Sequence, residues 1–432
     1  MSENLSGIKR RLLLLLMVLT IWQTAGRIAG WAQVEAEKRP LTLEDCWSRA
    51  RDNHPLLGAA RKRFEGAEQI RQFAGVRPNP TLTYQSENWR AWGRPSFNFM
   101  NEIDLFVFAT QRIETAGKAG YRRELASREA ASAEIEIDVV RKQLWQEITA
   151  KYWRALQLQS DLQIAVENRQ DIDQLVTYTT TRFREGFAAE WEVIRVKLEQ
   201  QTLLNQQLLL EQDLLRAKLQ LLQAMGETSF ETGFRLLEPA LLDAPILRQP
   251  IADLLTEATG KRVELGLLRS RVDSERANLR LQQANARPDV DVSAGFKRTV
   301  GFNTFIAYMT IQLPFFDRNR GEIGQAAAAI SSAEQELMAR TNYIRAEVEA
   351  GYRVVQQLRS RLTEMRQDFL TQADGSRDIA LAAYREGAAD LYKVLEAQRA
   401  RNEARRLYYR TQLDLQMALA ELALAVGRSE LR

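Results

Sequence analysis

Two side chains stand alone in this sequence, and they bound the chemistry open to it. His54 is the only histidine and Cys46 the only cysteine among 432 residues. A zinc or copper centre of the His/Cys type needs three or four such ligands, more than one chain can supply here. His54 is also the only imidazole for a nucleophile–base pair, and there is no glycine-rich phosphate loop or pocket-forming carboxylate pair. The expectation is a non-enzymatic chain with no cofactor and no catalytic or metal-binding residues. Cys46 follows Leu43-Glu44-Asp45 and reads as a small core residue, and a single thiol makes no internal disulfide. The other conspicuous chemistry is ionic. Arg184-Glu185-Gly186 recurs as Arg385-Glu386-Gly387.

That recurrence belongs to a longer one. Gln111 returns as Gln312, Val193 as Val394 and Gly226 as Gly427, each about 201 residues on. The interval from Gln111 to Arg184 is 73 residues and is repeated from Gln312 to Arg385. From Gly186 to Gly226 is 40, and so is Gly387 to Gly427. Elements held to one length must end level with each other, which the wall of a tube requires and an enzyme core does not.

The elements follow from where helix breakers fall. Residues 121–185 and 187–225 contain neither Gly nor Pro, and apolar residues recur there at helical spacing, as in Ile137, Val140, Leu144 and Ile148. At 1.5 Å per residue the first helix runs ~100 Å and the second ~60 Å. No compact domain holds such a helix, so the pair is expected as an extended coiled-coil hairpin. Residues 322–386 and 388–426 copy the plan, with Gly351 and Gly375 inside the long helix. A shorter helix is expected to open each repeat, at about 42–76 and 251–286, stopped by Arg77-Pro78 and Arg287-Pro288.

After those prolines the period changes to two. Val290, Val292, Ala294 and Phe296 alternate with Asp289, Asp291, Ser293 and Lys297. Asn303, Phe305, Ala307, Met309, Ile311 and Leu313 alternate with Thr304, Ile306, Tyr308, Thr310 and Gln312. Repeat one is noisier, with Leu82 and Tyr84, then Phe99, Ile103, Leu105, Val107 and Ala109, and with Trp89, Trp92 and Phe97 near the turn. Strands of about ten residues with one apolar face suit a bilayer crossing. A soluble two-hairpin sandwich would alternate too, but leaves the ~100 Å helices unexplained. Four strands cannot close, and open edges facing lipid leave unpaired N–H and C=O groups. About eight strands is the usual minimum for a barrel, so copies must combine.

The N-terminus reads as an export signal. Lys9-Arg10-Arg11 precede an apolar run from Leu12 to Trp22, then Gly30-Trp31-Ala32, giving a cut between Ala32 and Gln33. Eleven apolar residues are too few for a membrane anchor helix. Without residues 1–32 the formal charge drops from +4 to +1, with signs interspersed, which argues against a nucleic-acid partner.

This layout resembles the TolC-like outer-membrane efflux proteins across the whole mature chain. The junctions Gln111-Arg112-Ile113-Glu114-Thr115-Ala116-Gly117-Lys118 and Leu313-Pro314-Phe315-Phe316-Asp317-Arg318-Asn319-Arg320-Gly321 are similar to the heavy-metal cation (CzcC-like) branch. The fold class implied is mostly α with membrane β-strands: two tandem repeats whose four strands join a trimeric 12-stranded barrel, continued by a periplasmic α-helical barrel. The domains are then 1–32 signal, 33–226 repeat one (β-hairpin about 80–113, tip 183–187), 227–250 linker, 251–427 repeat two (β-hairpin about 288–313, tip 384–388) and 428–432 tail. Implied partners are two further copies, a periplasmic adaptor, an inner-membrane resistance-nodulation-division pump and outer-membrane lipid.

The resemblance places the adaptor-facing tips at Phe183, Arg184, Glu185 and Gly186, and at Tyr384, Arg385, Glu386 and Gly387. Well-known members carry an acidic pair just after the second tip. Here those positions are Lys393 and Glu396, with Glu192 and Arg195 in repeat one, so a mixed ring closed by ion pairs is expected as the gate. Gln33 at the cut, not cysteine, argues against lipidation. The implied function is passive conduction of heavy-metal cations from the pump across the outer membrane. Multidrug efflux or type I protein secretion would use the same architecture. A periplasmic adaptor is the competing class, but two matched hairpins and few β residues argue against it.

Overall fold

A computed structural model describes residues 40–89, 102–238 and 245–428. Trp92, Phe97, Phe99 and the expected signal with its Ala32–Gln33 cut lie outside them. The chain runs α1 (Leu43–Asn53), α2 (Pro55–Phe73), β1 (Thr81–Glu87), β2 (Asp104–Ile113), α3 (Lys118–Arg184) and α4 (Glu190–Ala224). It continues with α5 (Ile251–Lys261), α6 (Val263–Asn285), β3 (Val290–Thr299), β4 (Phe302–Ile311), α7 (Arg320–Arg385) and α8 (Leu391–Val426). At 67 and 66 residues, α3 and α7 are about 100 Å long. Among the described residues no helix is long and apolar enough to cross a membrane.

The four strands form one antiparallel sheet in the order β1-β2-β3-β4. Its register puts Thr81 opposite Thr110, Thr110 opposite Ser293 and Ser293 opposite Tyr308. Alternation then sorts the faces. Leu82, Tyr84, Val107, Val292, Phe305 and Met309 share the apolar face, while Thr83, Gln85, Thr110, Ser293 and Thr304 share the other. The Thr110 and Ser293 hydroxyls bond across that polar face at 2.8 Å. Both outer edges, β1 and β4, lack a strand partner among the described residues.

Two expectations are corrected. The short opening helix of each repeat is broken in the middle, at His54 and at Arg262. Pro55 explains the first break, since the residue before proline is held extended. Arg262 has no proline after it and is held extended by its buried guanidinium. That group donates to the Ala425 carbonyl at 2.7 Å and pairs with Glu347 at 2.9 Å and Glu264 at 3.0 Å. The equal 73-residue intervals also fail as register. Ile113 and Ile311 stand level, both opposite Val290, so from strand to tip repeat two is three residues longer than repeat one, where Gln111 and Gln312 suggested equal lengths.

The core gathers where the short helices meet the long ones. Trp145, Ile148 and Tyr152 of α3 pack with Leu254 and Leu265 of the α5–α6 pair and Leu419 of α8. Tyr152 donates its hydroxyl to the Leu41 carbonyl at 3.0 Å, tying the first described residues to α3. Cys46 is fully buried there, and burial pushes its thiol up to about 12, so it stays an unreactive packing group. A second cluster lies near the helical turns, with Ile172, Leu175, Val196, Leu391 and Val394.

Candidate functional site at the hairpin tips

Both long hairpins reverse at the same kind of corner. α3 is capped by Glu185 with Gly186 at φ 84°, and α7 by Glu386 with Gly387 at φ 80°. Left-handed backbone there favours glycine, which has no Cβ to crowd the carbonyl. The return helices start differently. Asp390 caps α8 by accepting from the Lys393 backbone N–H at 3.0 Å, while α4 follows Ala189 without a side-chain cap. α4 instead carries Glu190 and Glu192 in its first turn, against the positive end of the helix.

The two tips are not equals. Tyr384 of repeat two is 2% exposed, whereas its counterpart Phe183 is 41% exposed. Two side chains from repeat one close on Tyr384. Its hydroxyl donates to Glu192 at 2.7 Å. The Arg182 guanidinium lies 4.9 Å over its ring and donates to the carbonyls of Tyr384 at 2.9 Å and Phe187 at 3.0 Å. The Tyr178 ring meets it edge-on at 5.9 Å. Burial, and then the Glu192 carboxylate, push the Tyr384 phenol up to about 12, so it remains a donor at any physiological pH.

Tyr384 is therefore a clamped internal residue and not the exposed tip contact expected from the sequence. Arg184, Glu185, Gly186, Arg385, Glu386 and Gly387 are all exposed at the ends of the hairpins. Of the four residues expected to form a gate, Glu192 is taken up by the clamp. Arg195, Lys393 and Glu396 are exposed and make no ion pair among the described residues.

Behind the clamp an ionic lattice joins α3, α7 and α8. Asp171 accepts from Arg401 at 2.8 Å and pairs with Arg377 at 3.3 Å. Asp374 pairs with Arg401 at 2.6 Å and Arg405 at 3.2 Å. Gln398, also buried, donates to Asp171 at 2.9 Å. Burial pushes the Asp374 carboxyl up, but the hydrogen bond from Arg401 and the charges of Arg405 and Arg401 hold it below the usual carboxylate range. Sequence reasoning missed this lattice and Arg182. One signal was available for the clamp: Arg182 stands where repeat two has Ala383, and Glu192 where it has Lys393. Among the described residues no group of three His, Cys, Asp or Glu side chains gathers to hold a metal.

Comparison with known proteins gives a family match and relatives along most of the chain. The family described as outer membrane efflux protein matches residues 47–227 and 254–428. The cobalt-zinc-cadmium resistance protein CzcC of Cupriavidus metallidurans is 25% identical over 374 residues, 85% of this chain and 86% of that one. The pyoverdine export outer membrane protein OpmQ of Pseudomonas putida is 24% identical over 444 residues, covering 92% and 91%. The crystal structure of the outer membrane protein VceC from Vibrio cholerae superposes with a TM-score of 0.71 at 20% identity, covering 89% of this chain and 96% of its own.

Proposed function

The chain belongs to the outer membrane efflux protein family, and from that premise we infer that it is the homotrimeric channel of a tripartite system that exports heavy-metal cations. As a family member it is an efflux channel of the outer membrane with a periplasmic helical extension, and a transport protein, not an enzyme. The observation that carries the metal reading is the likeness to a cobalt-zinc-cadmium resistance protein over 85% of this chain and 86% of the relative.

The arrangement supports a division of labour along one axis. The two-faced sheet lies in lipid with its polar face inward, because a bore must be wet while the outer surface is apolar. The exposed Arg184-Glu185 and Arg385-Glu386 corners, at the far ends of helices about 100 Å long, are the surface offered to a periplasmic adaptor. An inner-membrane pump of the resistance-nodulation-division type delivers cargo and supplies the energy. Arg195, Lys393 and Glu396, which make no ion pair among the described residues of a single copy, pair between copies to narrow the periplasmic entrance.

Growth of the native host with and without this chain tests the cargo, on cobalt, zinc and cadmium salts beside dyes and detergents. Loss of the chain should lower tolerance to the metals several-fold and leave tolerance to organic compounds unchanged. Unchanged metal tolerance with new sensitivity to organic compounds would overturn the metal reading in favour of multidrug export. The similarity to a pyoverdine exporter makes that comparison necessary.

A further inference from the structure

Half-way along α3 and α7 lies a groove that the clamp, the ionic lattice and the sheet leave unused. α3 lines it with Gln146 and Trp153, and α7 with Glu347 and Val354, each 201 residues on from its counterpart. α8 forms the floor with Met417 and Glu421. Small residues at the exposed positions Ala150 and Ala350 leave room for it. Its volume is about 440 Å³, inside the span of roughly 300–1,000 Å³ usual for small-molecule sites.

The lining is unbalanced in charge and in hydrogen bonding. Both of its charged side chains are carboxylates. Glu347 accepts from the Arg262 guanidinium behind it at 2.9 Å, but Glu421 makes no hydrogen bond or ion pair among the described residues. Burial, and then the charge of Glu347, push the Glu421 carboxyl above its ordinary 4.5. On α3 the Trp153 indole N–H and the Thr149 hydroxyl lack a partner among the described residues, although both side chains are only 3% exposed. Buried polar groups of folded proteins are nearly always paired. The acid is not a demand of the helical plan either. Gln220 stands in its place in repeat one, where Lys151 donates to it at 3.3 Å.

We propose that this groove binds an amphipathic organic cation, with its ammonium beside Glu421 and Glu347, its apolar body along Trp153, Val354 and Met417, and an acceptor oxygen for the spare donors of α3. An ammonium supplies the positive charge that the lining lacks, and an indole ring attracts it further. A bare divalent ion would find two carboxylates and gain nothing from the apolar wall. Placement follows from α8. Leu419 packs into the core with Leu254 and Leu265 of the short helices. Glu421 lies two residues on, about 200° round the helix, so the groove opens on the other side of the helical layer. Short helices inside a tube would plug it, so they lie outside and the groove faces the bore. That step rests on the channel reading above, while the binding chemistry does not. A hydrophobic amine seated here would narrow the path of small ions, as a blocker.

Procaine is a suitable probe, an aryl ester with an amine that is cationic at neutral pH, and benzocaine is a matching aryl ester without the amine. Equilibrium dialysis against the detergent-solubilised full chain, with detergent alone as the blank, should show saturable procaine binding and benzocaine binding at least about tenfold weaker. Glu421→Gln should weaken procaine by about tenfold, the scale of a lost hydrogen bond to a charged group. Trp153→Phe keeps a ring, removes the N–H and should cost a few-fold. Ala350→Leu, at an exposed position, should fill the groove and abolish binding. Glu147→Gln makes the same charge change outside the groove and should leave binding intact. In planar bilayers procaine should reduce single-channel current, with the variants in the same order. Equal binding of procaine and benzocaine, or equal losses from Glu421→Gln and Glu147→Gln, would overturn the site. Displacement of procaine by equimolar cobalt chloride would reassign it to metal ions. Binding without any block would remove it from the bore. A wild-type chain that carries no current fails the channel reading instead, and dialysis still decides the site.

Discussion

At the hairpin tips repeat one supplies the clamp and repeat two the residue clamped; at the helix breaks the roles reverse. His54 and Arg262 hold matching places, and Arg262 donates to the Ala425 carbonyl. Around Arg262 lie Glu264, Glu347 and, through Glu264, Lys142, whereas among the described residues the His54 ring is hydrogen-bonded only to the Leu56 N–H, which donates to its Nδ1 at 3.2 Å. The backbone plan has stayed common to both repeats while the partners have diverged. In both regions the elaborated side lies on the joint inside the chain. Arg182 and Glu192 reach across to Tyr384, and Glu264 reaches across to Lys142 of α3. A duplicated unit can harden one of its two joints in this way and leave the other to assembly.

The largest effect should come from breaking the richer knot. The Arg262 side chain is 1% exposed, and Arg262→Ala leaves Glu347 without its guanidinium and Ala425 without its donor. Removing one partner of a buried pair costs about 3–5 kcal/mol. His54→Ala removes an N-cap acceptor and should cost about 1 kcal/mol. Chemical denaturation of the detergent-solubilised protein, followed by helical circular dichroism, should rank the two in that order. Equal losses would mean that the ionic partners around Arg262 add nothing to stability.

At the tips the matching experiment exchanges the two aromatic residues. Tyr384→Phe deletes the hydroxyl that Glu192 accepts and should cost about 1.5–3 kcal/mol, the range for hydrogen bonds to charged groups. Limited proteolysis between residues 184 and 190 should then speed up. Phe183→Tyr should change nothing, because Lys393 stands where an acceptor would be needed. If both variants loosen the tips alike, the in-chain clamp is not what separates them. Glu396→Ala belongs to the free side. As an exposed change it should shift stability by no more than about 0.5 kcal/mol, yet raise single-channel conductance and drug leakage. Unchanged conductance would remove Glu396 from the gate.

Much of this was legible in the sequence because it rests on periodicity and punctuation. The span without Gly or Pro from residue 121 to 185 and the alternation from Val290 to Phe296 each report a backbone state directly. Arg-Glu-Gly marks both corners, since a left-handed backbone selects its own residue. The break at Arg262 was not legible, because no local breaker causes it. A buried guanidinium holds it, with partners as distant along the chain as Glu347 and Ala425. The Asp171–Arg401 lattice escaped for the same reason: charges spaced along a helix look alike whether they face water or a neighbouring helix. Tyr384 was misplaced because its burial depends on Arg182 and Glu192, which the repeat does not preserve.

Acid should separate the two breaks by the smallest but most selective margin. Burial pushes His54 below its ordinary 6.5, against the opposing pull of Glu147 and the Ala224 carbonyl. The unfolded chain therefore takes up a proton at a pH where the folded one does not, and this contribution to stability falls as pH drops through 6.5. Glu264 behaves differently. Burial pushes it up, but the hydrogen bonds from Lys142 and Arg262 outweigh that and hold it at about 2, below its ordinary 4.5. Its contribution is complete above 4.5 and is lost only as pH falls toward 2. Between pH 6.5 and 4.5 the repeat-one break should therefore weaken alone. Global unfolding is a poor probe, because the carboxyls of Asp161 and Asp414 are pushed up by burial and so contribute with the opposite sign as pH falls. Local hydrogen exchange resolves the two sites. Amides around residues 54–58 should exchange faster at pH 5 than at pH 7, after correction for the intrinsic rate, while those around 262–266 should not change. His54→Gln should abolish the difference, and parallel behaviour at both breaks would show that the histidine does not set it.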